Sequence, residues 1–507
     1  MKKAVHIRSI LWLFIVLLLV LVSGCNFNVA PVPVTKEVTS SPTVKLPSAT
    51  VVASPTPLPT KTLQPTLSKQ PTMITSPIPT IYPLHGIEIH RLANIIPVKQ
   101  AGAYLMRRNA LLWSKIEPNE GDRNWQAQSA LEIELKTASE QGLQVILIVR
   151  STPLWAQKLP DYYCGPIKPE KLASFAAFMA DLVARYSVPP YNVKYWELGN
   201  EPDVLPAEVP PDNLYGCWGQ KEDPYNGGEY YAEMLKVTYP QIKASDPQAQ
   251  VLVGGLAMIC DPVNPPETLP GSGELVDCTA TKFLEGILKN GGGKYFDGVS
   301  FHAYDYFGKK NGRYANNSWN SAWNTTGPTL VAKALYLRSL LTQYGVQDKF
   351  LMNTENGILC GSSGEESYCL TDAFKNMKAS YLAECYAASL AVGLRTNVWF
   401  SITGWRGSGL LDDMGQPNSA FTAYHASVDR LNGASYKSEI TVYPGVKGYE
   451  FTRGDLRVWV LWALDEAIHL VKLPKVPVAV YDVLGTPATI SQEISVALAP
   501  IYIEWKP

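Results

Sequence analysis

Between residues 83 and 435, short apolar runs alternate with longer segments in which apolar residues recur every three to four positions. Runs of the first kind predict buried β-strands and segments of the second kind predict amphipathic helices. Helical patterns cover, for example, 171–187, 228–245 and 330–345. The eight strand candidates are 86–90, 104–113, 144–149, 193–199, 250–256, 298–304, 350–355 and 396–401.

This alternation predicts the α/β fold class, as a (β/α)8 TIM barrel over residues 83–435. A doubly wound open sheet is the alternative, but no Gly-rich phosphate fingerprint follows the first strand. The connections from helix back to strand are short. In such barrels the loops that follow the strands build the active site. Here those loops are the long irregular stretches 151–168, 202–227, 257–279, 305–328 and 357–371.

After residue 435 the pattern changes to short β-rich segments separated by turn residues. This pattern predicts a small antiparallel β-sandwich over residues 436–507. The segment carries no catalytic constellation, so we expect it to pack against or stabilise the barrel.

At the N-terminus, basic residues Lys2, Lys3 and Arg8 precede an apolar run over 10–22, and small residues then lead to Cys25. This order predicts a lipoprotein-type signal peptide over residues 1–25, in which Cys25 is lipidated. A membrane anchor helix is the alternative reading. Either way, the rest of the chain is expected outside the cytoplasm, at the surface of a bacterial membrane.

Residues 26–82 are rich in Pro, Thr, Ser and Val and show no periodicity, which is typical of a semi-extended linker. The 507 residues include 44 Lys and Arg against 45 Asp and Glu, without long blocks of one sign. Nothing in this balance indicates a nucleic-acid partner. The 13 Trp and 27 Tyr suit either a core or sugar binding.

Seven cysteines follow Cys25, and in an exported chain disulfides are plausible. Cys385 lies in a helical pattern and is predicted to be a buried free thiol. The other six lie in or at the ends of the predicted loops, and their spacing pairs Cys164 with Cys217, Cys260 with Cys278 and Cys360 with Cys369.

Two glutamates end predicted strands, Glu201 the fourth and Glu355 the seventh. Strands four and seven of an eight-stranded barrel face each other across its mouth, so both carboxyls can reach one bond. Glycoside hydrolysis needs such a pair, one carboxyl to protonate the departing oxygen and one to meet the anomeric carbon. The pair therefore predicts cleavage of an O-glycosidic bond.

Six landmarks in order surround this pair. They are Arg108 with Trp113 and Ile116-Glu117-Pro118, Thr152-Pro153-Leu154-Trp155-Ala156, Gly199-Asn200-Glu201-Pro202, Phe301-His302-Ala303-Tyr304, Thr354-Glu355-Asn356-Gly357, and Trp399. The set resembles the retaining glycoside hydrolases of clan A, most closely family 39, with families 5 and 51 as neighbours.

The resemblance implies that Glu201 is the general acid/base and Glu355 the nucleophile. It also implies that Asn200 binds the sugar 2-hydroxyl, and that Tyr304 and Arg108 keep Glu355 ionised. We expect the negative charge of Glu355 to raise the pKa of Glu201.

Further substrate-binding candidates are Trp399, as a stacking face beneath the sugar, Trp155 at the rim, and His302. Arg107 is expected to point away from the site, since neighbouring side chains on a strand face opposite sides. Glu197 is expected to be structural. Glu88 and His90 on the first strand receive no role.

Together these observations predict an exported retaining glycoside hydrolase that cleaves an extracellular, β-linked carbohydrate and needs no cofactor or metal. The expected partner is the carbohydrate substrate, with the membrane contacted only through the lipid anchor. The alternatives are a non-catalytic carbohydrate-binding surface lipoprotein and a transglycosylase with the same site.

Overall fold

The computed structural model describes residues 84–266, 278–308, 311–361 and 369–506. The predicted signal peptide with Cys25 and the linker 26–82 lie outside the described residues.

A search of the described segments for a helix with the length and apolar character of a membrane span found none.

Eight parallel strands close into a barrel, in the order β5-β4-β3-β2-β1-β10-β9-β6, with β6 pairing back to β5. A short hairpin, β7 and β8, extends the β6 edge. The fold is the predicted (β/α)8 barrel. The ten strands are β1 His85–Ile89, β2 Leu105–Leu112, β3 Gln144–Arg150, β4 Tyr195–Asn200, β5 Gln250–Leu256, β6 Gly298–Gly308, β7 Arg313–Asn316, β8 Ser321–Ala322, β9 Phe350–Cys360 and β10 Thr396–Trp399.

Helices between the strands cover the outside of the barrel. In α4, for instance, Leu172, Phe175, Met179 and Leu182 are spaced three to four residues apart and all are buried, which gives one apolar stripe. The helices are α1 Ile95–Gln100, α2 Trp113–Ile116, α3 Ser129–Glu140, α4 Leu172–Tyr186, α5 Gly228–Ser245, α6 Phe283–Lys289, α7 Thr329–Gln343, α8 Asp372–Ala391 and α9 Ser419–Leu431.

The inside of the barrel is layered. Side chains two residues apart on a strand share a face, so each strand contributes to successive inner layers. The layer that we call the apolar layer consists of six buried residues from six strands, packed with Phe350: Leu105, Ile146, Tyr195, Leu252, Met352 and Val398.

Two strands are longer than predicted. β6 continues to Gly308 and β9 to Cys360, and they stay paired as far as Phe307 opposite Cys360. Parts of the predicted loops 305–328 and 357–371 are therefore strand. Pairing between the two segments above the barrel rim keeps them extended.

The predictions for the seven cysteines that follow Cys25 are confirmed. Cys385 is a buried free thiol on α8. The three disulfides join Cys164 to Cys217, Cys260 to Cys278 and Cys360 to Cys369.

The C-terminal strands form a five-stranded sheet, β11-β12-β13-β17-β15, and a two-stranded sheet, β14-β16, with antiparallel pairings in both. Tyr449, Phe451 and Tyr502 of this sandwich join the same apolar cluster as Tyr424 and Leu431 of α9. The predicted sandwich is thus present and packs on the barrel. The strands are β11 Ser435–Ile440, β12 Val446–Arg453, β13 Leu456–Ala463, β14 His469–Lys472, β15 Ala479–Tyr481, β16 Glu493–Val496 and β17 Ile501–Trp505.

Candidate active site

Glu201 lies directly after β4, where the chain turns away from the barrel. Its φ of 52° is in the left-handed region, which is uncommon for a residue other than glycine. The backbone N–H donates to the carbonyl of Gly255 on β5 at 2.8 Å. This bond fixes the turn, and the side chain contacts His302 Nδ1 at 2.8 Å.

Glu355 lies within β9 and is almost fully buried. Its Oε2 accepts a hydrogen bond from the Tyr304 hydroxyl at 2.5 Å, and its Oε1 accepts one from Arg107 Nη1 at 2.6 Å. These two contacts fix the position of the carboxylate beside a buried cation.

The two carboxylates converge on one imidazole. One carboxylate oxygen of Glu201, one of Glu355 and one ring nitrogen of His302 all lie within 4.8 Å of one another. In retaining glycosidases the two carboxyl groups are about 5–5.5 Å apart, whereas inverting enzymes leave about 6.5–9.5 Å for a water. The close approach of the two side chains fits the retaining arrangement better.

Arg107 is the centre of the polar network, and its side chain is 0% exposed. Its guanidinium donates to carboxylates of β1, β4 and β9 and to one amide. The partners are Glu88 at 2.5 Å, Glu197 at 2.7 and 3.2 Å, Glu355 at 2.6 Å, and Asn200 Oδ1 at 2.7 Å. We call Glu88, Arg107, Glu197, His302 and Glu355 the polar layer.

The prediction that Arg108 holds Glu355 was wrong by one residue. Arg108 points outward and binds Glu134 of α3. Arg107 lies two residues after Leu105 of the apolar layer and so faces the same side of β2. Pairing within the barrel, rather than the motif spacing, decides which arginine enters the site.

Glu88 shares Arg107 Nη1 with Glu355. Burial raises the pKa of Glu88 to about 8, partly offset by the charge of Arg107 and increased by those of Glu355 and Glu197. Glu197, expected to be structural, is fully buried and also accepts the Gly255 N–H at 2.9 Å.

His302 lies beneath the site and not on its surface, because its side chain is 1% exposed. Burial lowers its pKa to about 4, so the ring is neutral at physiological pH. Arg107 Nη2 lies 3.3 Å from Nε2 and can only donate, which leaves the ring proton on Nδ1, facing Glu201. His302 therefore orients Glu201, and the prediction that it contacts substrate is not supported.

Burial raises the pKa of Glu201 to about 7, while the charges of Arg107 and Lys333 act in the opposite direction. The direction agrees with the role of a proton donor. The cause differs from the prediction, because desolvation is the main contribution and not the charge of Glu355.

Asn200 ends β4 beside Glu201. Its Oδ1 accepts from Arg107, which fixes the orientation of the amide. Among the described hydrogen bonds, Nδ2 has no protein partner, so it is free to donate to a substrate hydroxyl.

The two predicted aromatic contacts are not supported. Trp399 is 0% exposed, and its Nε1 donates to the Ser408 carbonyl at 2.9 Å, so no ring face remains for a sugar. Trp155 donates to the Glu117 carbonyl at 3.0 Å and packs edge-on against Trp113, and these contacts do not include either carboxylate.

The next residue, Phe400, contacts the site instead. Its ring lies edge-on to Tyr304, with centroids 6.0 Å apart, and to His90, at 5.7 Å. His90 Nε2 in turn lies 3.0 Å from Ser401 Oγ. The apolar run around Trp399 indicates where the last strand ends. It does not indicate which of the two aromatic rings there stays accessible.

By spacing alone, Glu201, His302 and Glu355 could hold a metal ion. The guanidinium of Arg107 already neutralises Glu355 and approaches His302. Contacts within the protein therefore account for the cluster.

No protein-family model matches the chain, and no curated protein is similar to it in sequence. Solved structures do share its fold. A family 39 glycoside hydrolase from the gut symbiont Bacteroides cellulosilyticus WH2 is 18% identical with a TM-score of 0.61, over 84% of this chain and 81% of that one. A GH30 endoxylanase from Clostridium papyrosolvens C71 is 12% identical with a TM-score of 0.55, over 84% and 97%.

An α-L-arabinofuranosidase from Thermotoga maritima, in an arabinose complex, is 12% identical with a TM-score of 0.53, over 85% and 97% of the two chains. At these identities the likeness concerns the fold. At that level, the expected resemblance to family 39 and related glycoside hydrolases is confirmed.

Proposed function

We propose that this protein is a retaining glycoside hydrolase, with Glu201 as general acid/base and Glu355 as nucleophile. The proposal rests on the different surroundings of two carboxyl groups that lie close together. Arg107 and the Tyr304 hydroxyl both donate hydrogen bonds to Glu355, whereas burial raises the pKa of Glu201 to about 7. One acid and one carboxylate in reach of the same bond are what this reaction requires.

In the first step, Glu355 forms a bond to the anomeric carbon while the bond to the leaving sugar breaks. The proton of Glu201 moves to the departing oxygen. In the second step, Glu201 takes a proton from water as the water oxygen attacks the same carbon, and Glu355 is released as a carboxylate.

The neighbouring residues support both steps. His302 keeps one oxygen of Glu201 occupied, so the acidic proton is carried by the other. Arg107 binds both Glu355 and Asn200, which links the position of the nucleophile to that of the amide facing the sugar. Asn200 Nδ2 would bind the 2-hydroxyl, a contact that strengthens in the transition state.

The fold similarity to glycoside hydrolases supports this reaction class. We further propose that the enzyme is exported and anchored through Cys25. Its substrate would be an extracellular oligo- or polysaccharide, in which it cleaves β-linked bonds. The three disulfides are typical of exported proteins and support this location.

The test is a panel of 4-nitrophenyl glycosides and β-linked polysaccharides with purified protein and its Glu355→Gln variant. We expect hydrolysis with retained anomeric configuration, and a loss of at least about 10³-fold in the variant, which should still bind substrate. A 2-deoxy-2-fluoro glycoside of the active sugar should leave a covalent adduct on Glu355, detectable by mass spectrometry.

The alternatives give other results. Sugar binding without turnover by the unmodified protein would indicate a lectin, and transfer products exceeding hydrolysis would indicate a transglycosylase. Normal turnover by Glu355→Gln would overturn the assignment of the nucleophile.

A further inference from the structure

One face of β6 rises from the active site to the protein surface. His302, Tyr304 and Tyr306 are two residues apart and therefore share that face. His302 is buried, Tyr304 is half-buried against Glu355, and Tyr306 is 44% exposed. The extension of β6 beyond the barrel thus carries an aromatic ring above the catalytic pair.

The loop after β10 places a second ring beside this face. Trp405 is 53% exposed, and its centroid lies 6.5 Å from that of Tyr304 in an edge-on contact. The guanidinium carbon of Arg406 lies 5.3 Å from the Trp405 centroid and 5.6 Å from that of Tyr306. We call Tyr306, Trp405 and Arg406 the aromatic rim.

The backbone of the rim is fixed to the barrel extension. The Cys360 N–H donates to the Arg406 carbonyl at 2.9 Å, and Arg406 Nε donates to the Cys360 carbonyl at 3.1 Å. Cys360 is itself joined to Cys369. The Trp405 N–H donates to Ser408 Oγ at 3.0 Å. These bonds preorganise the rings, which lowers the entropy lost when a ligand binds.

Trp405 is unusual in this molecule. Over the described ranges it is the sole tryptophan classed as exposed, and the other large exposed aromatics are Tyr104, Tyr215 and Tyr306. Two of these four rings, Tyr306 and Trp405, therefore lie near the same guanidinium, and Trp405 also packs on Tyr304 beside Glu355. Exposed aromatic patches of this kind mark binding sites.

We propose that the aromatic rim is a second sugar-binding subsite, on which one pyranose ring of a substrate chain stacks while its neighbour lies between Glu201 and Glu355. The proposal rests on the proposed hydrolase function and makes an oligosaccharide, not a monoglycoside, the preferred substrate. Trp405 offers the apolar ring face, and Arg406 retains N–H donors for hydroxyl groups.

The experiment compares the 4-nitrophenyl monoglycoside of the sugar hydrolysed fastest in the panel with its oligosaccharides of two to four units. Trp405→Leu keeps an apolar contact with Tyr304 but removes the aromatic face. We expect its KM for the oligosaccharides to rise about 3- to 10-fold, the loss of one aromatic stacking contact, with kcat and the monoglycoside constants unchanged. Tyr306→Ala should act in the same direction.

Tyr104→Ala is the matched control, because this exposed tyrosine precedes β2 at the opposite end of the barrel. It should change neither substrate class. In a Glu355→Gln background, the oligosaccharide should quench tryptophan fluorescence, and Trp405→Leu should remove most of that quenching.

Two outcomes would overturn the proposal while leaving the hydrolase function intact. One is equal losses on monoglycosides and oligosaccharides, and the other is unchanged KM and quenching in Trp405→Leu. Absence of hydrolysis across the whole panel would instead remove the proposed function, and the subsite with it.

Discussion

Two layers of the barrel interior lie one above the other on the same strands and differ in kind. The apolar layer consists mainly of aliphatic side chains, such as Leu105 on β2, together with the aromatic ring of Tyr195 on β4. Two residues further along the same strands, Arg107 and Glu197 belong to the polar layer. A spacing of two residues along one strand thus separates a stabilising apolar core from a charged site.

The polar layer is buried as deeply as the apolar one, and this has a consequence. A buried charge is tolerated only when it is paired and hydrogen-bonded. Arg107 has three carboxyl partners, so the layer holds more acidic than basic side chains. Burial raises the pKa of Glu88 within this layer and that of Glu201 next to it.

A large effect on catalysis is expected from Glu201→Ala, which removes the proposed proton donor above the polar layer. We expect kcat/KM for a poor leaving group to fall about 10²–10⁴-fold, the usual contribution of general acid catalysis. Azide should partly restore turnover of activated aryl glycosides as glycosyl azide. Glu208→Ala, an exposed glutamate in the same loop, is the control. Equal losses in both variants would point to another acid.

Arg107→Met tests the polar layer itself. It leaves Glu88, Glu197 and Glu355 without their buried cation, so we expect a loss of about 3–5 kcal/mol in the free energy of unfolding and loss of turnover. Urea denaturation and kinetics on the folded fraction measure the two effects. A folded variant with unchanged kcat would contradict the role given to Arg107.

Leu105→Ala tests the apolar layer two residues away. A cavity at this buried position should lower the free energy of unfolding by about 2–5 kcal/mol. Below the unfolding transition, kcat/KM per folded molecule should remain close to that of the unmodified protein. A selective loss of activity would show that the two layers are not separable.

The pH dependence of activity probes the proton held by Glu201. Its pKa is raised to about 7, so the required acid is present below that pH and is lost as pH rises through it. With His302, Arg107 and Lys333 around it, kcat/KM should fall about tenfold per pH unit above pH 7. Glu201→Ala assayed with an activated aryl glycoside should lack this alkaline limb. Its persistence would assign the limb to another group.

Arg108→Met should have the smallest effect. Arg108 adjoins Arg107 but binds Glu134 outside the barrel interior. We expect about 1–2 kcal/mol of lost stability from one charged hydrogen-bonded pair, and an unchanged kcat. Loss of activity comparable to Arg107→Met would restore the role that the motif spacing assigns to Arg108.

Much of the fold could be predicted because periodicity records burial directly. The eight barrel strands and the three disulfides follow from apolar runs and cysteine spacing. The extension of β6 and β9 could not be predicted, since pairing between distant segments keeps them in strand form. The aromatic rim depends on that extension.

Residue roles were harder to predict than residue positions. Spacing within a motif does not give the side of a strand on which a side chain lies, which is why Arg108 was expected where Arg107 is found. Similarly, two neighbouring aromatic residues lie at the end of the last barrel strand. The ring of Trp399 is buried, whereas the ring of Phe400 is accessible. For the arginine a signal was available, because Arg107 lies two residues after Leu105 and therefore shares its face of the strand. No signal distinguished the two rings.

The sequence by itself determined the barrel, the sandwich and the two glutamates at the ends of facing strands, because these depend on local patterns of burial. Only the tertiary structure decided which arginine supports Glu355, why Glu201 holds its proton, and where aromatic rings stay exposed. Those properties depend on desolvation and on contacts between strands far apart in the chain, which no local pattern records.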